Sequence, residues 1–133
     1  MTKRIFVVDD EKVIADSLAA ILNLSGFEAS AFYDPEAALS ACEIGKPEYI
    51  IIDVVMPGMS GVDLAIQIKE RLPECRILLF SGQAATADIL EKARKGGHDF
   101  DLLLKPVHPK DLLAKLGVGN SNPSQNAPVF ASA

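Results

Sequence analysis

Four short runs of apolar residues recur along the chain, and long stretches of helical periodicity separate them. The runs cover residues 5–8, 49–52, 77–80 and 102–104. Each run is nearly continuous rather than alternating, which is typical of a strand covered on both faces in a parallel sheet. A weaker fifth segment, residues 28–32, alternates as an edge strand does.

The segments between the runs are predicted to be helices. We expect helices over residues 12–25, 60–71, 86–95 and 109–116, and one that opens at Asp34-Pro35-Glu36. In that opening, Asp34 suits the N-cap and Pro35 suits the first helical position. Strands that alternate with helices predict an α/β fold, a doubly wound parallel sheet with helices on both faces.

The length of 133 residues is that of one compact domain. Residues 117–133 carry no charged side chain and consist mostly of Gly, Asn, Ser, Pro and Ala. Such a segment has too few apolar residues to form a core. We therefore predict an ordered domain over residues 1–116 and a flexible tail over 117–133.

Charge and composition exclude several classes of protein. The 13 basic and 18 acidic residues give a net charge of −5, which argues against direct nucleic-acid binding. No apolar run approaches the roughly 20 residues of a membrane span, so we expect no membrane insertion. Cys42 and Cys75 form no CxxC motif and are expected to be buried, reduced thiols. These features indicate a cytoplasmic protein.

Polar residues follow four of the predicted strands. They are Asp9-Asp10, Asp53, Ser81 and Lys105. Because the carboxyl ends of parallel strands meet at one rim, where ligands bind, we expect these groups to lie together. Each alone is more often a helix cap or a turn residue. Three carboxylates in one place repel each other, however, and a Mg²⁺ ion with oxygen ligands would offset that repulsion.

The residues after Asp53 complete a pattern of motifs. The run from Asp53 to Gly61 reads D-x-x-M-P-x-M-x-G. Together with the acidic pair, Ser81 and Lys105-Pro106, it resembles the receiver domains of two-component response regulators, over residues 3 to about 116. The resemblance implies a flavodoxin-like (βα)₅ fold with strand order 2-1-3-4-5.

The resemblance also implies a metal site and a phosphorylation site. Asp53 would accept a phosphoryl group from a sensor histidine kinase or a phosphotransfer protein. Asp10 and Asp53 would bind Mg²⁺ directly, and Asp9 would bind it directly or through water. The Val55 carbonyl would be a further ligand.

Three more positions follow from the same resemblance. Lys105 would pair with the phosphoryl oxygens, Ser81 would donate a hydrogen bond to one of them, and the peptide bond before Pro106 would be cis. A carboxylate attacks phosphorus when positive charge neutralises the other phosphoryl oxygens, so these residue types suit that chemistry.

The sequence departs from the family on the face formed by its last strand. Members usually carry an aromatic residue three positions before the lysine, where this chain has Leu102. Phe100 lies two residues earlier and therefore on the same face of the strand. The final helix is also short. We expect an atypical switch and output face, formed by Ser81, Phe100 and Leu102.

The sequence thus predicts a single-domain response regulator that catalyses only its own phosphorylation and dephosphorylation. Its signal would pass by protein contact to an unknown downstream protein. One alternative is a receiver-like interaction module that works without phosphorylation. Another is an aspartyl-phosphate phosphatase with a D-x-D motif, which Val55 disfavours because it occupies the position of the second Asp.

Overall fold

The computed structural model describes residues 3–82, 86–97, 100–105 and 108–117. Within them, strands and helices alternate along the chain. The strands are β1 (Arg4–Val8), β2 (Glu28–Phe32), β3 (Tyr49–Asp53), β4 (Arg76–Ser81) and β5 (Asp101–Leu104). The helices are α1 (Lys12–Leu24), α2 (Pro35–Gly45), α3 (Gly61–Arg71), α4 (Thr86–Lys95) and α5 (Pro109–Lys115).

The strands form one parallel sheet in the order β2-β1-β3-β4-β5. This confirms the predicted doubly wound fold and its strand order. The chain leaves β1 in one direction toward β2 and later returns on the other side of β1 as β3. The strand order therefore reverses between β1 and β3, and a crevice for ligands forms at their carboxyl ends.

Each face of the sheet has its own apolar core. On one face, residues such as Ile50, Ile52 and Leu79 pack against α2, α3 and α4. On the other, residues such as Ile51 and Phe80 pack against α1 and α5. Because side chains alternate along a strand, neighbouring residues of one continuous apolar run supply both cores. Burial on both faces explains why the central strands lack an alternating pattern.

Three predicted helix ends were wrong by one residue, and caps explain the differences. Helix α3 begins at Gly61 because Ser60 is its N-cap, with an extended backbone and a hydroxyl that accepts a hydrogen bond from the N–H of Asp63.

Helix α1 ends at Leu24, before Ser25 and Gly26, and Gly26 adopts a φ of 100°. Helix α5 ends at Lys115, since Leu116 is its C-cap. Asp34 caps α2 as predicted, accepting from the N–H of Ala37.

Both cysteines are buried and free, as predicted. Burial, the main cause, raises the pKa of Cys42 to about 11 and that of Cys75 to about 12, so the thiols stay protonated at neutral pH. No helix within the described residues is long and apolar enough to cross a membrane. Except for Gly117, the predicted tail lies outside the described residues.

Gly61, the first residue of α3, packs closely against the end of β3. Its N–H donates a hydrogen bond to the carbonyl oxygen of Val54 at 2.8 Å. A Cβ atom built on Gly61 would lie 2.8 Å from the Cα of Val54 and closer still to the carbonyl oxygen of Asp53. All of these neighbours are backbone atoms, so side-chain rotation would not relieve the overlap. Glycine is required here for close packing of the helix against the strand that carries Asp53.

We therefore expect Gly61→Ala to lower the free energy of unfolding by about 1–3 kcal/mol, the usual effect of overpacking. Urea denaturation followed by circular dichroism measures this. Gly82→Ala is the matched control, because a Cβ on Gly82 meets the Cβ of Lys105 at an ordinary 3.6 Å. Equal denaturation midpoints for the two variants would show that the contact at Gly61 is not tight.

Candidate functional site

The polar groups predicted at the strand ends lie at the carboxyl rim of the sheet. Asp9 directly follows β1, Asp53 ends β3, Ser81 ends β4 and Lys105 directly follows β5. Among the described residues, Asp9, Asp53 and Ser81 are the polar side chains that are buried, at 0%, 5% and 1% exposure. Buried carboxylates require partners, since burial of an unpaired charge is strongly unfavourable. Their environment must therefore supply positive charge or hydrogen-bond donors.

Strand alternation places the charged groups on one face of the sheet. Asp53 lies two residues beyond Ile51, and Lys105 lies two beyond Leu103. Ile51 and Leu103 both belong to the core against α1 and α5. Because residues two apart share a face, Asp53 and Lys105 lie on this side as well.

Lys105 connects the two buried carboxylates. Its Nζ lies 3.3 Å from Oδ2 of Asp9 and 3.3 Å from Oδ1 of Asp53. The lysine side chain is mostly buried, at 21% exposure, so water screens these interactions less than at the surface. One ammonium group therefore offsets part of the charge of two carboxylates on neighbouring strands.

The electrostatics of Asp53 reflect this balance. Burial, the largest effect, and the charge of Asp9 both raise its pKa, whereas Lys105 and the N–H of Val55 lower it. The resulting pKa of Asp53 is about 6. Burial alone would lower the pKa of Lys105, but the charges of Asp53 and Asp9 outweigh it and raise the pKa. Lys105 is thus charged at neutral pH, and Asp53 ionises at a higher pH than an ordinary aspartate, near pH 6.

The acidic residues form a cluster suited to a metal ion. One carboxylate oxygen each from Asp9, Asp10 and Asp53 lies within 4.8 Å of the others. Asp9 is already engaged, since its Oδ1 accepts a hydrogen bond from the N–H of Glu11 at 2.9 Å and its Oδ2 pairs with Lys105. Asp10 is exposed. The all-oxygen donor set and its negative charge fit a hard divalent cation such as Mg²⁺.

The other predicted site residues lie at different positions. Val55 is half-exposed in the loop after β3. Phe100 and Leu102 pack against the core on the opposite face, beside α4. They are therefore not part of the carboxylate cluster, and their assignment to output stays a prediction. Pro106 and the isomer of its peptide bond lie outside the described residues.

One residue beside the cluster, Phe80, was not predicted from the sequence to belong to the site. The Nζ of Lys105 lies over the ring of Phe80, 4.8 Å from its centroid. Phe80 belongs to an apolar run and was interpreted only as core. The register of β4 against β3, which places Phe80 opposite Asp53, is the signal that identifies it.

These features define a class of protein: a flavodoxin-like domain with a cluster of carboxylates and a lysine at its carboxyl rim. The response regulator receiver domain family matches residues 5–117. The chain belongs to this family.

Individual relatives agree with this assignment. The chain is 30% identical over 118 residues to the DNA-binding response regulator MtrA of Mycobacterium tuberculosis (strain ATCC 25618 / H37Rv), which covers 87% of this chain and 50% of that protein. It is 30% identical over 116 residues to the alkaline phosphatase synthesis transcriptional regulatory protein PhoP of Bacillus subtilis (strain 168), covering 87% and 48%. The chain thus spans about half the length of these curated relatives.

A solved structure has the same fold. The response regulator receiver domain protein (CheY-like) from Methanospirillum hungatei JF-1 superposes with a TM-score of 0.80 at 28% sequence identity. The match covers 88% of this chain and 92% of that chain. The agreement extends over nearly all of the described domain.

The raised pKa of Asp53 makes stability depend on pH. A carboxyl whose pKa is higher in the folded state stabilises the fold fully below its unfolded pKa, and that stability is lost as pH rises through about 6. A rise of the pKa from the ordinary aspartate value to about 6 corresponds to about 3 kcal/mol, and this figure already includes the favourable effect of Lys105.

In EDTA at pH 7.5, we therefore expect Asp53→Asn to unfold with a free energy about 1–3 kcal/mol higher than the parent protein. The difference should vanish near pH 4. Urea denaturation at both pH values measures it, and Asp101→Asn, which alters an exposed carboxylate, is the control. If Asp53→Asn is no more stable than the parent at pH 7.5, burial does not strain the Asp53 carboxylate.

Proposed function

We propose that this chain accepts a phosphoryl group on Asp53 in a Mg²⁺-dependent reaction. The donor is the phosphohistidine of a sensor histidine kinase or of a phosphotransfer protein. One observation carries the proposal: the Lys105 ammonium lies 3.3 Å from Oδ1 of Asp53, beside the cluster of Asp9 and Asp10. In this proposal, Asp53 is the nucleophile, Lys105 is the cation, and the acidic cluster supplies the metal ligands.

In the proposed reaction, a carboxylate oxygen of Asp53 attacks phosphorus. The bond between phosphorus and the histidine nitrogen breaks, and its electron pair remains on the imidazole. Asp53 must be ionised to attack, and a pKa of about 6 leaves most of it ionised at pH 7.5. Lys105 offers its ammonium to the phosphoryl oxygens as negative charge collects on them. Ser81, buried at the end of the adjacent strand, donates a hydrogen bond to the acyl phosphate.

Asp10 and Asp53 are the proposed direct ligands of Mg²⁺, with the carbonyl of Val55. Asp9 acts through water, because both of its carboxylate oxygens already have partners. A bound Mg²⁺ would neutralise charge on the transferred phosphoryl group. Asp10 is exposed and so remains accessible to an ion that arrives from solvent.

The proposed activity is limited to the phosphorylation and dephosphorylation of the chain itself. The signal then passes by protein contact, in the cytoplasm, to a downstream protein. The face around β5 is the proposed contact surface. Leu104 is 67% exposed there and lies opposite Ser81 in the register of β4 and β5. A change at Ser81 would therefore reach an exposed apolar side chain directly.

We expect incubation with acetyl phosphate and Mg²⁺ to add one phosphoryl group to the chain, at Asp53. The reason is the convergence of a carboxylate nucleophile with Lys105 and an acidic cluster. Intact mass spectrometry measures the addition, and peptide mapping after borohydride reduction locates it. EDTA should abolish labelling.

Asp53→Asn should remain unlabelled, whereas Asp101→Asn, the matched change at an exposed position, should label like the parent. Equal labelling of Asp53→Asn and the parent would show that Asp53 is not the acceptor. Failure of the parent itself to label would favour an interaction module that works without phosphorylation.

A further inference from the structure

The strand order forces the Lys105 side chain to cross β4. Lys105 follows β5, whereas its partner Asp53 lies on β3, and β4 separates the two strands. Adjacent strands lie about 4.8 Å apart. A side chain that starts beyond β5 and ends beside β3 must therefore pass over the residue that β4 presents on this face.

That residue is Phe80. It lies opposite Asp53 in the register with β3 and opposite Leu103 in the register with β5. Phe80 is fully buried, at 0% exposure. The Nζ of Lys105 lies 4.8 Å from the ring centroid, within the range of a cation–π interaction. The ammonium group thus has three partners: two carboxylates and the face of an aromatic ring.

A cavity beside Lys105 explains why the contact between its ammonium group and Phe80 matters. Phe80 and Lys105 both line a cavity of about 440 Å³, together with α1 residues that include Val13, Ile14 and Ser17. A lysine side chain has many rotamers, and the cavity offers it room to turn away from Asp53. The ring opposes such a movement, because the ammonium would lose the attraction of the ring face.

We propose that Phe80 is a positioning residue, whose ring face holds the Lys105 ammonium at the point where the phosphoryl oxygens arrive. The consequence for catalysis rests on the proposed phosphorylation of Asp53. The position of the lysine does not, since it follows from the strand order and the ring contact. In this proposal, Phe80 acts only through Lys105.

Stepwise fluorination of the ring tests this interaction. Phenylalanine at position 80 is replaced with its 4-fluoro, 3,5-difluoro and 3,4,5-trifluoro analogues, which weaken the negative ring face with little change of shape. The rate of labelling by acetyl phosphate and Mg²⁺ should fall progressively, by about two- to fivefold across the series. Thermal melting confirms that each protein is folded.

The same series at Phe6 is the matched control. Phe6 is also a buried ring, but it packs against Phe32 on the opposite face of the sheet. Its fluorination should leave the labelling rate unchanged. A flat series at position 80 in a protein that labels normally would overturn the inference and leave the proposed function intact. An equal fall in both series would likewise overturn it.

A second measurement does not depend on phosphorylation. In NMR spectra of the parent protein, the Cε protons of Lys105 should be shifted upfield by the ring current of Phe80, and Phe80→Leu should remove the shift. Ordinary Lys105 shifts in the parent would overturn the inference. If the parent does not label but shows the shifted resonance, the proposed function fails while the positioning contact is supported.

Discussion

The attraction between one lysine and two buried carboxylates organises the rim of this domain. Asp9 and Asp53 end neighbouring strands, and the sheet brings their like charges close together. Lys105 lies 3.3 Å from each of them and supplies the opposite charge. Loss of Lys105 would leave two buried carboxylates uncompensated, and such a loss generally costs about 3–5 kcal/mol. The rim is therefore held together by the same group that is placed to receive a phosphoryl oxygen.

Lys105 compensates only part of the negative charge of the carboxylates, and the remaining charge is as important as the ion pairs. One ammonium group faces two buried carboxylates, with a third, Asp10, beside them. Burial, the largest effect, and the charge of Asp9 raise the pKa of Asp53 to about 6, and the three carboxylates repel one another. A divalent ion would correct both effects, since it favours the ionised form of Asp53 and separates the repelling charges. The proposed requirement for Mg²⁺ thus arises from the electrostatics of the three carboxylates.

Most of the fold could be predicted from the sequence because the central strands β1, β3 and β4 are buried on both faces. The same expectation was wrong for β5, where Leu104 is exposed. Burial on both faces produces the continuous apolar runs, and the residues directly after each run lie at the rim. Asp9, Asp53, Ser81 and Lys105 could be identified in this way. Helix ends were less well predicted: Leu116 suits a helix and is a C-cap only through its backbone conformation, whereas Ser60 is a favoured N-cap residue that was predicted to lie inside the helix. The contact of Lys105 with Phe80 depends on the register between strands, which apolar patterns do not specify.

The proposed chemistry and the proposed signal output lie on opposite faces of the sheet. Asp53, Lys105 and Phe80 lie on the side of α1 and α5, whereas Phe100 and Leu102 pack on the side of α4. Leucine in place of the family's usual aromatic residue therefore leaves the carboxylate cluster untouched. In the proposed function, its effect would fall on the transmission of a signal toward β5 rather than on the chemistry at the rim.

Phosphorylation of Asp53 beside Lys105 and the acidic cluster can be tested by a crystal structure of the domain with Mg²⁺ and beryllofluoride, an analogue of the phosphoryl group. We expect beryllium bonded to a carboxylate oxygen of Asp53 and a metal ion in contact with Asp10 and Asp53. Lys105 should lie within hydrogen-bond distance of a fluoride. Lys105 should still lie over the ring of Phe80. If Asp53 carries no adduct, or if another carboxylate carries it while Lys105 is turned toward α1, the proposed phosphorylation site is wrong.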